Sequence, residues 1–432
     1  MPTTSTALLT DRYELTMVDA ALRAGVAARP SVFEVFARRL PAGRRYGVVA
    51  GTGRLLELLR EFRFAPAELA WLSEQSVISD RTLEWLEAYR FSGSIRGYRE
   101  GELYFPGSPV LVVEAPFAEA VVLETIALSV LNYDSAVASA AARMVTAAEG
   151  RPIAEMGSRR TGEHSAVAAA RAAYLAGFAA TSNLEAGRTW GVPTMGTAAH
   201  AFTLLFDTEE DAFRAQVDAM GAGTTLLVDT YEIRDAVESA VRVAGTALGA
   251  VRLDSGDLAV LASEVRAQLD GLGATGTRII ATNDLDEFAI QSLRSAPLDS
   301  FGVGTAVVTG SGAPAAGFVY KLAAHLDDDG NWMPVGKRSA EKATVAGRKQ
   351  PVRALADGVA AAEHVYVEEP PAVGVGRELL VDLVIDGEPV EWALGPNGVL
   401  AARTHHAAAI AELPRDALAL DPGEPAIPTL YF

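Results

Sequence analysis

The 432-residue chain contains no cysteine. That removes thiolate nucleophiles, cysteine-bound zinc, iron–sulfur ligation and any disulfide framework, and it suits a reducing cytoplasm. Basic residues are outnumbered, 37 against 55 acids, for a formal net charge of −18. Such a surface repels a nucleic-acid backbone, so neither DNA nor RNA is an expected partner. An anionic substrate must instead be held by local Arg, Lys or backbone N–H groups. No run of 18 uninterrupted apolar residues occurs, so no membrane span is expected. Met1–Thr6 is polar and lacks the basic and apolar regions of a secretory signal. No G-x-x-x-x-G-K-[ST] string is present, which excludes a P-loop. What remains is a folded globular composition, 50% hydrophobic and 21% charged. A chain of this length holds two to four domains at about 100–200 residues each. It can bury a large core without staples.

The first part mixes elements without a repeat. Helices are predicted at Leu15–Arg23, Thr52–Phe62 and Asp80–Tyr89, and strands at Ser94–Glu100 and Val110–Glu114. From about Ile153 to Lys321 a rhythm sets in. Short apolar runs at Pro193–Gly196, Thr225–Val228, Ala250–Leu253, Arg278–Thr282 and Phe301–Val303 each end in polar or glycine residues. Those ends, at 197, 229, 254, 283 and 304, lie 32, 25, 29 and 21 residues apart, the length of one strand plus one helix. After Ser255, the stripe Leu258, Leu261, Val265 and Leu269 predicts a helix, with Gly271 as its C-cap. Repeated units with reactive side chains at strand ends suit an α/β barrel. A doubly wound sheet has the same local pattern. From about Ala323 the rhythm stops, and the chain is expected to return to pack on the first part.

Asp254-Ser255-Gly256-Asp257 is the sharpest local feature. Two carboxylates three apart can grip a sugar diol or Mg²⁺; they can equally cap a helix. Asp229 and Asp284 at neighbouring strand ends bring the rim to four carboxylates. Gly302-Val303-Gly304-Thr305 can cradle a phosphate with backbone N–H groups, with Gly310-Ser311-Gly312 close behind, although glycine turns are common. His200 lies just past a strand end, where it can serve as acid, base or nucleophile. His164 reads as a surface or capping residue, and His405-His406 as a solvated feature. Arg159-Arg160 can clamp a carboxylate or phosphate, or sit on a plain surface turn. The residues alone point to an enzyme acting on an anionic, phosphorylated small molecule.

The strings Leu8–Met17, Gly196–Phe202, Arg252–Asp257, Asn283-Asp284, Phe301–Thr305 and Gly347–Gln350, in that order, resemble the nicotinate phosphoribosyltransferase family from about residue 8 to 353. The resemblance implies an irregular α/β barrel of the type II phosphoribosyltransferase kind over 126–322. It also implies an α+β domain over 1–125, with 323–432 packed against it. It implies transfer of phosphoribosyl from phosphoribosyl pyrophosphate to nicotinate, with Mg²⁺, coupled to ATP hydrolysis through phosphorylated His200. The implied roles continue residue by residue. Tyr13 faces the nicotinate ring, from the partner of a homodimer with a shared site, and Arg252 and Thr197 lie beside the base. Asp254 holds the ribose, with Asp229 and Asp284 on the same rim and Asp254 and Asp257 as metal ligands. Gly304 and Thr305 bind the 5-phosphate, and Arg159 meets a carboxylate or phosphate. Two positions depart from relatives. Met156 replaces an aromatic and packs more weakly on a ring. Ser182 stands where nicotinamide-using relatives carry an acid, which favours a carboxylate substrate. A nicotinamide enzyme and a catalytically silent nucleotide-binding homologue are the alternatives. A quinolinate enzyme is shorter, and a sugar-phosphate lyase needs a barrel lysine, for which Lys321 is the candidate.

Overall fold

A computed structural model describes residues 5–41, 43–337, 344–369 and 376–432. Met1–Pro2 and the next two residues of the polar N-terminus lie outside them. The chain forms two compact units, one from 1–139 with 313–432 and the other from 140–312.

The 140–312 unit carries a curled six-stranded parallel sheet. Its strands are β1 (Ile153–Glu155), β2 (Ala180–Thr181), β3 (Thr225–Leu227), β4 (Ala250–Leu253), β5 (Arg278–Ala281) and β6 (Ser300–Val303). They lie side by side as β2-β1-β6-β5-β4-β3. Read from β3, each strand neighbours the next in sequence, β6 closes onto β1, and the only break falls between β2 and β3. That is the cyclic order of a barrel with one open seam. A doubly wound sheet would reverse direction at a switch point instead. The apolar runs are buried as expected, with Val251, Leu253, Ile279, Ala281 and Val303 fully enclosed.

One expected strand is absent. Pro193–Gly196 makes only a bridge between Thr194 and Thr181. Proline lacks a ladder N–H and no strand lies on its far side, because this segment borders the seam. A second reading also needs correction. Helix Leu258–Gly271 runs through Gly271 and is capped by Leu272. Asp257 starts it, accepting hydrogen bonds from the N–H groups of Ala259 and Val260.

The other unit is built from both ends of the chain. A seven-stranded antiparallel sheet places Pro30–Ala37 between Pro109–Pro116 and Phe318–Leu326. Strand Phe318–Leu326 pairs along its length with Pro30–Ala37, so the compact boundary falls at 312/313 rather than inside that strand at 322/323. Lys321 lies on this strand, its Nζ donating to its neighbour's carbonyl at 2.6 Å, and is not a barrel lysine. Phe33 stacks on Tyr320 at 5.0 Å in the core. The first helix starts at Arg12, earlier than expected, and ends at Gly25 in the left-handed conformation. Helix Pro66–Glu74 was not legible in the sequence. The helical run Phe117–Ala148 is long and apolar enough to cross a membrane, yet 67% of its most apolar window is buried, as in a core helix.

Several buried charges in this unit are paired. Lys349 Nζ donates to both oxygens of Glu34 at 2.8 and 2.9 Å. Arg353 pairs with Glu363 at 2.5 Å. Glu102 receives Arg377 at 2.6 Å and His405 at 2.9 Å. His405 and His406 therefore correct the reading of a solvated pair. Both lie inside helix Gly395–Ala411, and the His406 ring is buried against the Gly101 carbonyl at 3.0 Å.

Candidate active site

A cavity of about 450 Å³ opens at the C-terminal ends of the barrel strands, within the usual range for small-molecule sites. Most wall segments lie at or just past the C-terminal end of a strand. Met156 through Arg160 follow β1, and Ser182 follows β2. Met195 through Ala199 border the seam. Arg252 and Asp254 follow or end β4, Thr282 through Asp284 follow β5, and Gly304 and Thr305 follow β6. The repeat that marks strand ends in the sequence is thus the geometry that gathers the site.

Arg252 Nη1 donates to Thr197 Oγ1 at 2.7 Å, a neutral partner. Burial pulls the guanidinium below its ordinary range, and Asp254 and Asp229 oppose that pull. Asp254 accepts a short hydrogen bond from the Thr282 hydroxyl. Asp229 accepts from the Asp254 N–H at 2.8 Å and the Ser255 hydroxyl at 2.7 Å through one oxygen. Its side chain is 1% exposed, and its other oxygen, Oδ1, has no hydrogen-bond partner.

That orphan oxygen lies 4.0 Å from His200 Nε2, and Asp254 Oδ2 lies 3.9 Å from the same nitrogen. The opposite nitrogen, Nδ1, meets the Thr230 hydroxyl at 3.1 Å. His200 is thus flanked by two carboxylates on one side and a hydroxyl on the other. At the end of β5, Asn283 and Asp284 adopt φ of 96° and 37°. Left-handed backbone at non-glycine residues costs of order 1–3 kcal/mol each and gathers at functional sites. At the end of β6, a Cβ on Gly302 would lie 2.6 Å from Thr282 Cγ2 and 2.8 Å from Met156 Sδ, so glycine is needed there for the wall to close.

Of the residues singled out in the sequence, Arg159, Arg160, Ser182, Thr197 and Arg252 line the cavity. So do Asp254, Asp284, Gly304 and Thr305. His200 and Asp229 adjoin it through Asp254. Asp257 is outside the wall, serving as the helix cap. Tyr13 belongs to the other unit, in the first turn of its helix and 45% exposed. Partial burial and the nearby Glu124 and Glu14 push its phenol up to about 12, so it stays neutral at physiological pH. His164 is exposed. Gly310-Ser311-Gly312 is not a cradle at this cavity, because Ser311 is tied to Glu287. Sequence reasoning missed Thr230, Thr282, Ser158 and Met195. For Thr230 and Thr282 a signal existed, since each directly adjoins a strand-end polar residue already marked.

The family model for the nicotinate phosphoribosyltransferase (NAPRTase) N-terminal domain matches residues 8–132. A nicotinate phosphoribosyltransferase of Mycobacterium tuberculosis is 57% identical over 433 residues, covering 98% of this chain and 94% of its own. One from Bacillus subtilis is 37% identical over 362 residues, covering 81% and 74%. The crystal structure of human nicotinic acid phosphoribosyltransferase aligns with a TM-score of 0.83 at 26% identity, covering 98% of this chain and 97% of that one.

Proposed function

The chain belongs to the nicotinate phosphoribosyltransferase family, and from that membership we propose that it converts nicotinate and phosphoribosyl pyrophosphate to nicotinate mononucleotide and pyrophosphate, a step of NAD biosynthesis. The observation that carries the reading is 57% identity sustained over 98% of the chain. The wall of the cavity agrees with it chemically. Ser182 places no acid near the acceptor, and Arg252, Arg159 and Arg160 offer cations to a carboxylate and to phosphates.

The pyridine nitrogen uses its lone pair to form the bond to C1 of the ribose, while the bond from C1 to the pyrophosphate oxygen breaks with its electron pair. No proton has to be removed from the nucleophile, so no strong base is required. The protein's part is to hold two anions in line and exclude water. Arg252, braced by Thr197, takes the nicotinate carboxylate. Asp254, with Asp284 on the same rim, accepts from the ribose hydroxyls. Gly304 and Thr305 meet the 5-phosphate.

Two further elements belong to the same proposal. In the first, His200 takes the γ-phosphoryl of ATP, ADP leaves, and water later releases phosphate. The carboxylates of Asp229 and Asp254 beside Nε2 favour the proton on that nitrogen, which leaves the lone pair on Nδ1. The second is a site for Mg²⁺, which would be bound together with the pyrophosphate. Among the described residues no group of three His, Asp or Glu forms a metal cage. Mg²⁺ is usually held by one or two carboxylates plus substrate phosphates and water, and Asp254 with the buried, unpartnered Asp229 Oδ1 nearby gives an oxygen-rich site that suits it. Asp254 would hold the ion, with Asp229 nearby, whereas Asp257, expected from the sequence as a second ligand, caps the following helix outside the wall. Bound there, Mg²⁺ would neutralise charge on the departing pyrophosphate. Tyr13 covers the nicotinate ring from a second copy in a cytoplasmic homodimer.

The test is a chromatographic product assay with phosphoribosyl pyrophosphate, Mg²⁺ and nicotinate, nicotinamide or quinolinate, with and without ATP. Mononucleotide from nicotinate alone, increased by ATP, is expected. Product only from nicotinamide would overturn the Ser182 argument. ATP hydrolysis surviving in His200→Ala would overturn the phosphohistidine. Mixing Tyr13→Ala with His200→Ala chains should restore part of the activity, and no recovery would sink the shared site.

A further inference from the structure

We propose that Glu155, which does not itself line the cavity, is the positioning residue that fixes the acceptor-ring side of the cavity by tying two wall turns to one buried carboxylate. The proposal rests on the nicotinate reading above. Glu155 is the last residue of β1 and is fully buried. Its two oxygens serve different turns. Oε1 accepts a short hydrogen bond from the Gly157 N–H, at the start of the turn that carries Ser158, Arg159 and Arg160. Oε2 accepts from the Thr181 hydroxyl at 2.5 Å, and the Glu155 carbonyl accepts from the Ser182 N–H at 2.8 Å.

The two turns are also joined to each other. Thr181 Oγ1 accepts from the Asn183 N–H at 3.0 Å, and Asn183 Nδ2 donates to Ser158 Oγ at 2.9 Å. The Thr181 main chain bonds Pro193 and Met195, both at 2.9 Å, so the hold extends to the segment bearing Thr197. Glu155 is the one group that both turns share.

Neutral donors alone hold this carboxylate. Among the described residues no Lys or Arg pairs with the carboxylate. Burial pushes its pKa up, and the Thr181 and Gly157 hydrogen bonds oppose that push. A buried, unpaired carboxylate is costly for a fold. An apolar residue at this strand end would serve the sheet equally well, so the carboxylate's distinctive contribution is geometric. Gly157 is matched to it. A Cβ there would lie 2.3 Å from Val308 Cγ1 and 2.9 Å from Glu155 Oε1, so only glycine lets this N–H reach the carboxylate.

The variants separate geometry from charge. Glu155→Asp keeps the charge but is one methylene too short to reach both turns. Glu155→Gln keeps the length: its oxygen accepts from Gly157 and its NH₂ donates to the Thr181 hydroxyl, which can rotate to accept. In steady-state kinetics E155D should raise the nicotinate KM by about tenfold, the effect of losing one buried hydrogen bond to a charged group. The KM for phosphoribosyl pyrophosphate should rise several-fold less, through Arg159 and Arg160 on the released turn alone, and E155Q should retain most of the nicotinate affinity. Thr181→Val should repeat E155D and Thr181→Ser should not, which decides the matter should E155D fail to fold. An unchanged nicotinate KM, both KM values rising by the same factor, or E155Q as impaired as E155D would each overturn the proposal. Should the wild type make no nicotinate mononucleotide, the family reading fails on its own. Amide hydrogen exchange then tests the positioning: Gly157 and Ser182 should exchange about tenfold faster in E155D, with Ile279 unchanged, and equal rates would refute it.

Discussion

In the sheet unit, Lys349 sits between both oxygens of Glu34, Arg353 meets Glu363, and Glu102 is shared by Arg377 and His405. In the barrel unit, Arg252 meets only a threonine, Asp229 keeps an oxygen with no partner, and Glu155 is held by neutral donors. The barrel can pair buried charge too, since Arg143 and Glu287 meet at 3.1 Å away from the cavity. At the cavity, Arg252 and Asp229 are thus left without an ion-pair partner within hydrogen-bond distance, where an anion and a cation could complete them. In the sheet unit the same residue types fasten the two ends of the chain together.

The comparison can be broken most severely at Lys349. Lys349→Met strands Glu34 without its cation, and such a loss costs about 3–5 kcal/mol. Denaturant unfolding should show it, while activity per folded molecule is unchanged. Adding Glu34→Leu should recover most of the stability. The opposite pattern is expected for Arg252→Met. Catalytic efficiency should fall roughly 100- to 1000-fold, or about 3–4 kcal/mol, with thermal stability unchanged or slightly raised, because no ion pair is lost.

Glutamates tuned by burial sharpen the contrast through pH. In the sheet unit, burial pushes Glu14 up to about 7 despite two hydrogen bonds from Thr125. A pKa raised on folding means that the folded state holds the proton more tightly. The contribution is fully present below pH 4.5 and lost as pH rises to about 7. Glu14→Gln should therefore gain up to roughly 3 kcal/mol at pH 8 and nothing at pH 4. In the barrel unit Glu209 is also raised to about 7, by burial and then by Asp229 and Asp235. Asp229→Asn should lower it, as carboxyl NMR titration would read, whereas Glu14 should not move. The smallest effect belongs to Asn183→Ala. It removes a helix cap and the link to Ser158, costing about 1 kcal/mol and raising the nicotinate KM two- to threefold, about 0.5 kcal/mol.

The barrel strands were legible because each is a short apolar run cut off by a polar residue. Ala250–Leu253 matches its predicted limits, Thr225–Leu227, Arg278–Ala281 and Ser300–Val303 each differ by one residue, and Ile153–Glu155 and Ala180–Thr181 were not singled out. The same cut-off residues became the cavity wall, so most of the site was legible as well. Partnership across the chain was not. Pro193–Gly196 has the apolar character of a strand, but beside the seam it finds only Thr181 to bridge and builds no ladder. His405 and His406 look like a polar pair until the Gly101 carbonyl and Glu102 are folded against them. Glu155 looks like any strand-end acid. Its significance depends on Gly157 and Thr181, which lie two and 26 residues away.

The placement of Pro30–Ala37 between Pro109–Pro116 and Phe318–Leu326 has a consequence for the chain while it is being made. One neighbour emerges from the ribosome soon after this strand, and the other follows about two hundred residues after that one. At roughly 5–20 residues per second that interval is about 10–40 seconds. Throughout it, Val32, Val35 and Phe36 belong to a strand with one bare edge, open to pairing with another nascent chain. The barrel unit is contiguous in sequence and is born entirely within that interval. Synthesis of this protein should therefore depend on holdase chaperones most strongly between the appearance of its first sheet strands and the arrival of Phe318–Leu326.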